Sequence, residues 1–196
     1  MAPSADDMPD TFTTATALAR GLHHRDLYRL RDEGEVVELS RGVFRRADAP
    51  TPSRPDLLAV AYRVPNAVVC CVSAAAVHEL TDEIPIAVQF AVPRTQRPPR
   101  IDYPPTEVFR FNADTFDLGL ANVEAAPDET VRIYSRERTV VDLMRLRHRL
   151  GEPTALVALR RYLGQRSARP GRLLEIARRL GVHGPVRTAV EVVIAE

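Results

Sequence analysis

The sequence predicts an α+β fold in two parts: an N-terminal winged helix-turn-helix, and a mixed α/β domain that ends in a helical C-terminal segment. Three patterns support it. Residues 13–46 follow the order helix, glycine turn, helix and two-stranded hairpin. Residues 55–135 alternate helical and strand patterns, and after residue 136 apolar residues recur at helical spacing. We therefore predict a disordered tail at 1–10, a DNA-binding domain at 11–48, a linker at 49–54, and a second domain at 55–196 with its α/β core at 55–135 and its helical part at 136–196.

In the first domain, local signals mark each boundary. Thr13 or Thr14 is a suitable N-cap for the first helix, which Gly21 ends. A second helix from about residue 23 to residue 33 ends at Gly34. Two short β-rich runs follow on either side of a turn at residues 40–42, which predicts a hairpin.

In the second domain, prolines separate the elements. A helix at 55–63 begins at Pro55 and is closed by Pro65. Further elements are expected as a buried apolar run at 67–72, a helix at 73–80, strands at 86–92, 108–111 and 130–134, and helices at about 137–150, 153–164, 170–180 and 185–195.

The basic residues are all arginine, 27 of them, and the chain has no lysine. This excludes a phosphate-binding loop of the Walker type, a conventional kinase site and Schiff-base chemistry, because each requires a lysine.

The charge is unevenly distributed along the chain. Residues 1–131 carry 13 Arg against 20 Asp and Glu, and residues 132–196 carry 14 Arg against 6. The first part is therefore at −7 and the second at +8. A basic C-terminal third indicates an anionic partner, namely nucleic acid, an acidic protein surface or the rest of this chain; solvated helix faces are the alternative.

The two cysteines, Cys70 and Cys71, are adjacent in an apolar run. Neighbouring residues of a strand point to opposite faces, so they are poor partners for a structural disulfide, and no metal cluster is expected. Residues 1–10 lack the features of a signal peptide, and no apolar run approaches the length of a membrane span. We expect a cytoplasmic protein without membrane contact.

The second helix of the N-terminal domain is the expected recognition helix. A helix held across another can enter the major groove, where base edges present a distinguishing pattern. The hairpin then reaches phosphate, as does the start of the first helix. The predicted DNA-binding residues are Thr13, Thr14, His23, His24, Arg25, Tyr28, Arg29, Arg41, Arg45 and Arg46.

Several segments together resemble the AbiEi-type antitoxins of bacterial AbiE (type IV) toxin–antitoxin systems. They are, in order, residues 12–17 (FTTATA), 25–30 (RDLYRL), 35–39 (EVVEL), 41–44 (RGVF), 55–61 (PDLLAVA), 72–81 (VSAAAVHELT), 91–94 (AVPR) and 135–142 (SRERTVVD). The resemblance implies a repressor of its own operon that binds inverted repeats of operator DNA, with a homo-oligomer on DNA as one arrangement. It also implies a C-terminal domain that neutralises a cognate nucleotidyltransferase toxin, by direct contact or by a functional route.

Two alternatives stay open at this stage. One is an enzyme that inactivates the toxin by covalent modification, such as phosphorylation by an atypical kinase; ATP would be its cofactor, whereas the antitoxin interpretation needs none. The other is a stoichiometric toxin-binding module without DNA binding. The residues assigned to toxin neutralisation are Arg136, Arg138, Asp142, Arg145, Arg149, Arg160 and Arg161.

Short motif matches do not change this interpretation. The run from His24 to Leu27 matches the start of a kinase catalytic loop, but Arg31 stands where that loop has asparagine. His78 and Glu79 begin a zinc-protease motif whose second histidine is replaced by Asp82. A pair four residues apart on a predicted helix, Arg138 and Asp142, favours a structural salt bridge.

Overall fold

The structure is a computed structural model that describes residues 4–195, and it is a mixed α and β architecture with two sheets. The first unit contains a short 3-10 helix and then β1, α1, α2, β2 and β3. These elements occupy Ala5–Asp7, Thr11–Thr13, Thr14–Ala19, His24–Asp32, Val36–Ser40 and Val43–Arg46. The three strands form an antiparallel sheet in the order β1-β3-β2.

The predicted order of helix, turn, helix and hairpin is therefore present in this unit. The Thr13 hydroxyl caps α1 by accepting a hydrogen bond from the Thr16 amide at 3.1 Å. Gly21 and Gly34 follow the two helices with φ of +90° and +77°, a conformation in which glycine avoids the Cβ clash. Local capping chemistry is why these boundaries could be placed from sequence.

Residues 4–10 differ from the predicted disordered tail. Ser4 caps the 3-10 helix, and Ala5 and Met8 are buried in the core of the first unit beside Phe12. The acidic composition suggested disorder, but two apolar side chains are enough to dock so short a segment. Residues 1–3 of the predicted tail lie outside the described residues.

The second unit is built on a five-stranded sheet in the order β6-β5-β4-β8-β7. Strands β4 to β8 span Val68–Val69, Val88–Pro93, Thr106–Phe111, Leu120–Ala126 and Glu129–Tyr134. Helices α3 to α9 span Pro55–Arg63, Cys71–Val77, Arg136–Arg145, Arg147–Leu150, Glu152–Leu163, Pro170–Arg179 and His183–Ala195, and a 3-10 helix covers Ala113–Thr115.

Most predicted elements of the second unit are found, with three differences. The run at 67–72 contributes only the two residues of β4, because α4 already begins at Cys71. Strand β7 was not predicted, since its apolar positions are mostly alanine. The predicted helix at 137–150 is divided into α5 and α6 at Leu146.

The two faces of this sheet carry separate cores. Along each strand the side chains alternate, so Val68 and Tyr134 pack with α5, α7, α8 and α9, whereas Val69 and Ile133 pack with α3. The first unit lies on the α3 side, where Leu39 of β2 joins the α3 core. The helical C-terminal third therefore covers the opposite face.

Both cysteines are fully buried in the core on the α5 side, and their thiols are free. Burial is the main cause that raises the pKa of Cys70. Both side chains therefore behave as small apolar groups.

The segment between the two units is bound to the sheet along part of its length. The Arg54 amide donates to the Ala125 carbonyl at 3.0 Å, and the Ser53 hydroxyl donates to the same carbonyl at 3.2 Å. The Arg54 guanidinium donates to the Glu124 carbonyl at 2.8 Å. These contacts anchor the end of the connection to β7.

Within residues 4–195, no helix has both the length and the apolar character needed to cross a membrane.

Candidate nucleic-acid interface

Helix α2 presents a solvent face made of residues that were predicted from sequence. Leu27 and Leu30 are buried against Phe12 and Val36 and fix the rotation of the helix. The Asp26 carboxylate accepts from the His23 amide at 3.1 Å and so closes the first turn. The side chains left exposed on the other face are His23, His24, Arg25, Tyr28 and Arg29.

The two arginines of this face, Arg25 and Arg29, differ in whether they form an ion pair. Arg29 forms an ion pair with Glu33 one turn on, at 2.6 Å. Arg25 is exposed and has no ionic partner among the described residues. Tyr28 keeps 53% of its surface exposed, with the guanidinium of Arg31 5.0 Å from its ring centre. Arg25 is therefore the cation of α2 whose charge is available to a ligand.

The threonines at the start of α1 are already engaged within the unit. The Thr13 hydroxyl is the N-cap described above, and the Thr14 hydroxyl donates to the Gly42 carbonyl at 3.5 Å. Both residues are half-buried. They position the helix against the hairpin, and their side chains have little left to offer a phosphate.

At the hairpin turn, Arg41 is exposed and its backbone carbonyl accepts a hydrogen bond from Arg63 at 2.7 Å. Glu38 accepts from the Gly42 amide at 3.0 Å and lies 3.5 Å from Arg31. The acidic side chain in the hairpin thus holds the turn, while Arg41 extends from the tip.

Arg45 was predicted to meet DNA, and the structure contradicts this. Its side chain is only 4% exposed, and it forms an ion pair with Glu129 at the start of β8. It also donates to the Thr11 hydroxyl and to the Pro50 carbonyl, both at 2.5 Å. The sequence pattern placed Arg45 on a strand, but it could not show that its face is covered by the second unit.

Arg46 is also used within the fold. It pairs with Asp48 at 2.5 Å and donates to the carbonyl of Met8 at 3.3 Å. The hydrogen bond between the two side chains raises the pKa of Arg46 and lowers that of Asp48. Arg46 therefore fastens the N-terminal segment to the hairpin.

Sequence reasoning missed the residues that join the two units. Glu129 accepts from Arg45 and Thr11 through one oxygen and from the Tyr62 hydroxyl through the other, the last at 2.9 Å. Burial, followed by the bond to Glu129, raises the pKa of Tyr62 to about 12. The three partners of Glu129 are separated from it by 67 or more residues, so no local pattern could have revealed the cluster.

The residues predicted to neutralise a toxin divide into buried and exposed groups. Arg138 and Asp142 have no exposed side-chain surface and form the expected i,i+4 salt bridge at 2.8 Å. Arg145 pairs with the second oxygen of Asp142, also at 2.8 Å. Both side chains are fully buried, so neither is accessible to a partner in this structure, and a contribution of Arg138 and Asp142 to neutralisation through the fold of the second unit stays a prediction.

The other members of that set lie at the surface. Arg149 pairs with Glu107 at 2.5 Å over the ring of Phe109, and Arg161 pairs with Asp82. The remaining two, Arg136 and Arg160, are exposed, and Arg136 lies 3.4 Å from the Ser167 hydroxyl.

His78 is held by packing. It ends α4, and its Nε2 lies 2.7 Å from the Tyr134 carbonyl. Burial lowers the pKa of His78. Among the described residues, no group of three or more His, Cys, Asp or Glu side chains is arranged to hold a metal ion.

Comparison with known proteins finds a family match for the N-terminal unit. Residues 2–47 match the family model described as transcriptional regulator, AbiEi antitoxin. The resemblance to the AbiEi antitoxins is confirmed for this segment. The match spans the whole first unit, from the 3-10 helix to β3, and so includes residues that had been predicted as a tail.

A solved structure shares the fold over nearly the entire chain. It is the crystal structure of the RV2827C protein from Mycobacterium tuberculosis, with 16% sequence identity and a TM-score of 0.56. The alignment covers 95% of this chain and 78% of that one, so both units of this chain are included. A search of curated proteins finds no match.

Proposed function

We propose that the chain is an antitoxin and transcriptional repressor whose N-terminal unit is a DNA-binding winged helix-turn-helix. The observation that carries the proposal is the exposed face of α2, where Arg25 is free of ionic partners within the described residues. A family match to AbiEi regulators over residues 2–47 supports the regulatory role.

The topology of the first unit supports the winged-helix interpretation. Its order is short helix, strand, helix, helix and two strands, with all three strands in one antiparallel sheet. The sheet and α1 support α2 from behind, and the hairpin extends beside it. In such a unit the second helix enters the major groove and the hairpin follows the backbone.

Within this face we assign different roles to the side chains. Arg25, in the first turn of α2, is placed to read a base edge, since arginine can contact guanine through two hydrogen bonds. Arg41 at the hairpin tip contacts phosphate, which fixes register without reading sequence. Arg29 contributes less, because its ion pair with Glu33 must first be broken.

The second unit carries the antitoxin half of the proposal. The family described by the matching model pairs regulation with antitoxin activity. We propose that the target is a nucleotidyltransferase toxin and that the chain binds inverted repeats in the promoter of its own operon.

Replacing Arg25 by alanine tests the DNA-binding role. Loss of a bidentate base contact is expected to cost about 1–3 kcal/mol, or about fivefold to 150-fold in affinity for the operator. The measurement is a gel-shift titration against the DNA upstream of the chain's own gene, compared with scrambled DNA of equal length.

The matched control is Arg97→Ala, which removes the same charge from an exposed loop of the second unit. It is expected to keep operator affinity within about twofold. If Arg25→Ala and Arg97→Ala bind the operator equally well, α2 is not the recognition helix.

A further inference from the structure

Five exposed arginines in the segment 166–179 have no ion pair with any residue in the described part of the chain. We call them the α8 basic surface; they are Arg166, Arg169, Arg172, Arg178 and Arg179. Between residues 153 and 190 the sequence contains one acidic residue, Glu175. The positive charge of this segment is therefore almost uncompensated.

Most arginines elsewhere in the C-terminal third are in a different state, although Arg136 contacts only the Ser167 hydroxyl among the described residues, at 3.4 Å. Seven of them form ion pairs: Arg132, Arg138, Arg145, Arg147, Arg149, Arg161 and Arg187. Since the same part of the chain pairs so many of its arginines, solvated helix faces are a poor explanation for five unpaired ones within fourteen residues. A group of like charges held together raises the electrostatic energy of the free protein, and an anionic partner would relieve it.

Helix α8 holds this charge on a rigid support. Leu173, Ile176 and Ala177 are buried and anchor the helix on α5 and α9. Its exposed side carries Arg172, Arg178 and Arg179, and Arg166 and Arg169 precede it in the connection from α7. Rigid presentation reduces the entropy lost on binding, and arginine is enriched in protein interfaces.

The position of the surface separates it from the operator-binding face. The first unit packs on the α3 side of the large sheet, and α8 packs on the opposite side beyond α5. Layers of helix and sheet are each about 10 Å thick, so several layers lie between the first unit and α8. This arrangement favours a partner other than the duplex bound by α2.

We propose that the α8 basic surface docks an acidic surface of a partner protein. The identification of that partner as the toxin rests on the proposed function. This docking site differs from the residues that sequence alone suggested. Of those residues, Arg138 and Asp142 are buried, and Arg145, Arg149 and Arg161 form ion pairs.

A charge-neutralised variant tests this surface. It combines Arg166→Gln, Arg172→Gln, Arg178→Gln and Arg179→Gln, since glutamine keeps the helix propensity of arginine. The matched control combines Arg100→Gln, Arg132→Gln, Arg147→Gln and Arg187→Gln, which removes four charges from arginines that form ion pairs and that were not assigned to toxin neutralisation. Circular dichroism and thermal unfolding establish that both variants are folded.

Three probes are titrated at low salt: a 20-residue polyglutamate peptide, the purified protein encoded next to the chain's own gene, and the operator duplex. We expect the α8 variant to bind the peptide and the neighbouring protein about tenfold or more weakly, and to bind the operator within about twofold of the unmodified chain. We expect the control to bind all three within about twofold.

Three results would overturn the proposal. Equal losses in both variants would show that net charge alone matters. Loss of operator binding with peptide binding intact would identify a nucleic-acid surface. Unchanged binding of the α8 variant to the peptide and to the neighbouring protein would place docking elsewhere. Failure of the proposed function is read separately, from operator binding by Arg25→Ala and from toxicity of the neighbouring protein during co-expression with the unmodified chain.

Discussion

Asp142→Ala is expected to lower the free energy of unfolding of the second unit by about 3–5 kcal/mol, because it leaves a fully buried arginine without its counter-charge. Arg138 has no exposed side-chain surface and donates to Asp142 at 2.8 Å. It also donates to the carbonyls of Thr115 and Leu118, both at 2.8 Å, and lies 4.4 Å from the ring centre of Tyr134. Urea unfolding followed by circular dichroism measures the loss.

The carboxylate is under opposing influences at this site. Burial raises the pKa of Asp142, and the two arginines act in the other direction. Removal of the carboxylate leaves the buried charge of Arg138 without an opposite charge beside it. Asp142→Asn also removes the negative charge, but its amide oxygen can still accept a hydrogen bond from the Arg138 guanidinium. We therefore expect Asp142→Asn to be less destabilising than Asp142→Ala.

Asp117→Ala is the control for this experiment. Asp117 is 80% exposed and pairs with Arg132 at 3.4 Å, so its loss is expected to change stability by less than about 1 kcal/mol. If Asp142→Ala were as mild as Asp117→Ala, the buried cluster would contribute little to the fold.

Arg45→Ala is expected to lower the free energy of unfolding by about 2–3 kcal/mol. The change removes the positive charge that pairs with Glu129. Because the Glu129 side chain is 16% exposed, we expect a smaller loss of stability than for a fully buried ion pair. Bonds to Thr11 and to the Pro50 carbonyl are lost as well. Thermal unfolding of both units, followed by hydrogen exchange of the β1 and β3 amides, measures the effect.

The same variant distinguishes a structural role from contact with phosphate. A buried Arg45 cannot reach DNA, so at a temperature where the variant is folded its operator affinity should stay within about threefold of the unmodified chain. Arg41→Ala, at the exposed hairpin tip, should weaken operator binding without changing stability. A folded Arg45→Ala protein that has lost operator affinity while keeping its stability would show that Arg45 contacts DNA.

The boundaries of the first unit could be predicted because they depend on neighbouring residues. Capping by Thr13 and the left-handed turns at Gly21 and Gly34 are local events, and the sequence alone locates them. The exposed face of α2 follows from the positions of Leu27 and Leu30 for the same reason.

Features that depend on distant contacts could not be predicted. In sequence, Arg45 and Arg41 are both hairpin arginines that could meet phosphate. Arg45 has a structural role only because it pairs with Glu129, which lies 84 residues away along the chain. Strand β1 has three residues, and its pairing with β3 exists only in the folded unit. Docking of residues 4–10 likewise depends on a core that the rest of the unit provides.

The candidate interaction residues of the second unit show the same division. The spacing of Arg138 and Asp142 correctly predicted a salt bridge, because i,i+4 neighbours meet on any helix. Their complete burial depends on the packing of α5 between α4, α7 and α8. The charge excess of the C-terminal third was visible in composition, but the separation into paired and unpaired arginines required the structure.

The two buried cysteines can report on local unfolding of the core of the second unit. Cys70 and Cys71 are its only thiols, and both lie in the core on the α5 side with no exposed surface. A thiol-reactive dye can therefore label the protein only when that core opens, so the labelling rate measures how often the second unit exposes its interior. Since the chain has no lysine, amine-reactive dyes are restricted to the terminal amino group, and the two chemistries can be used independently on one sample.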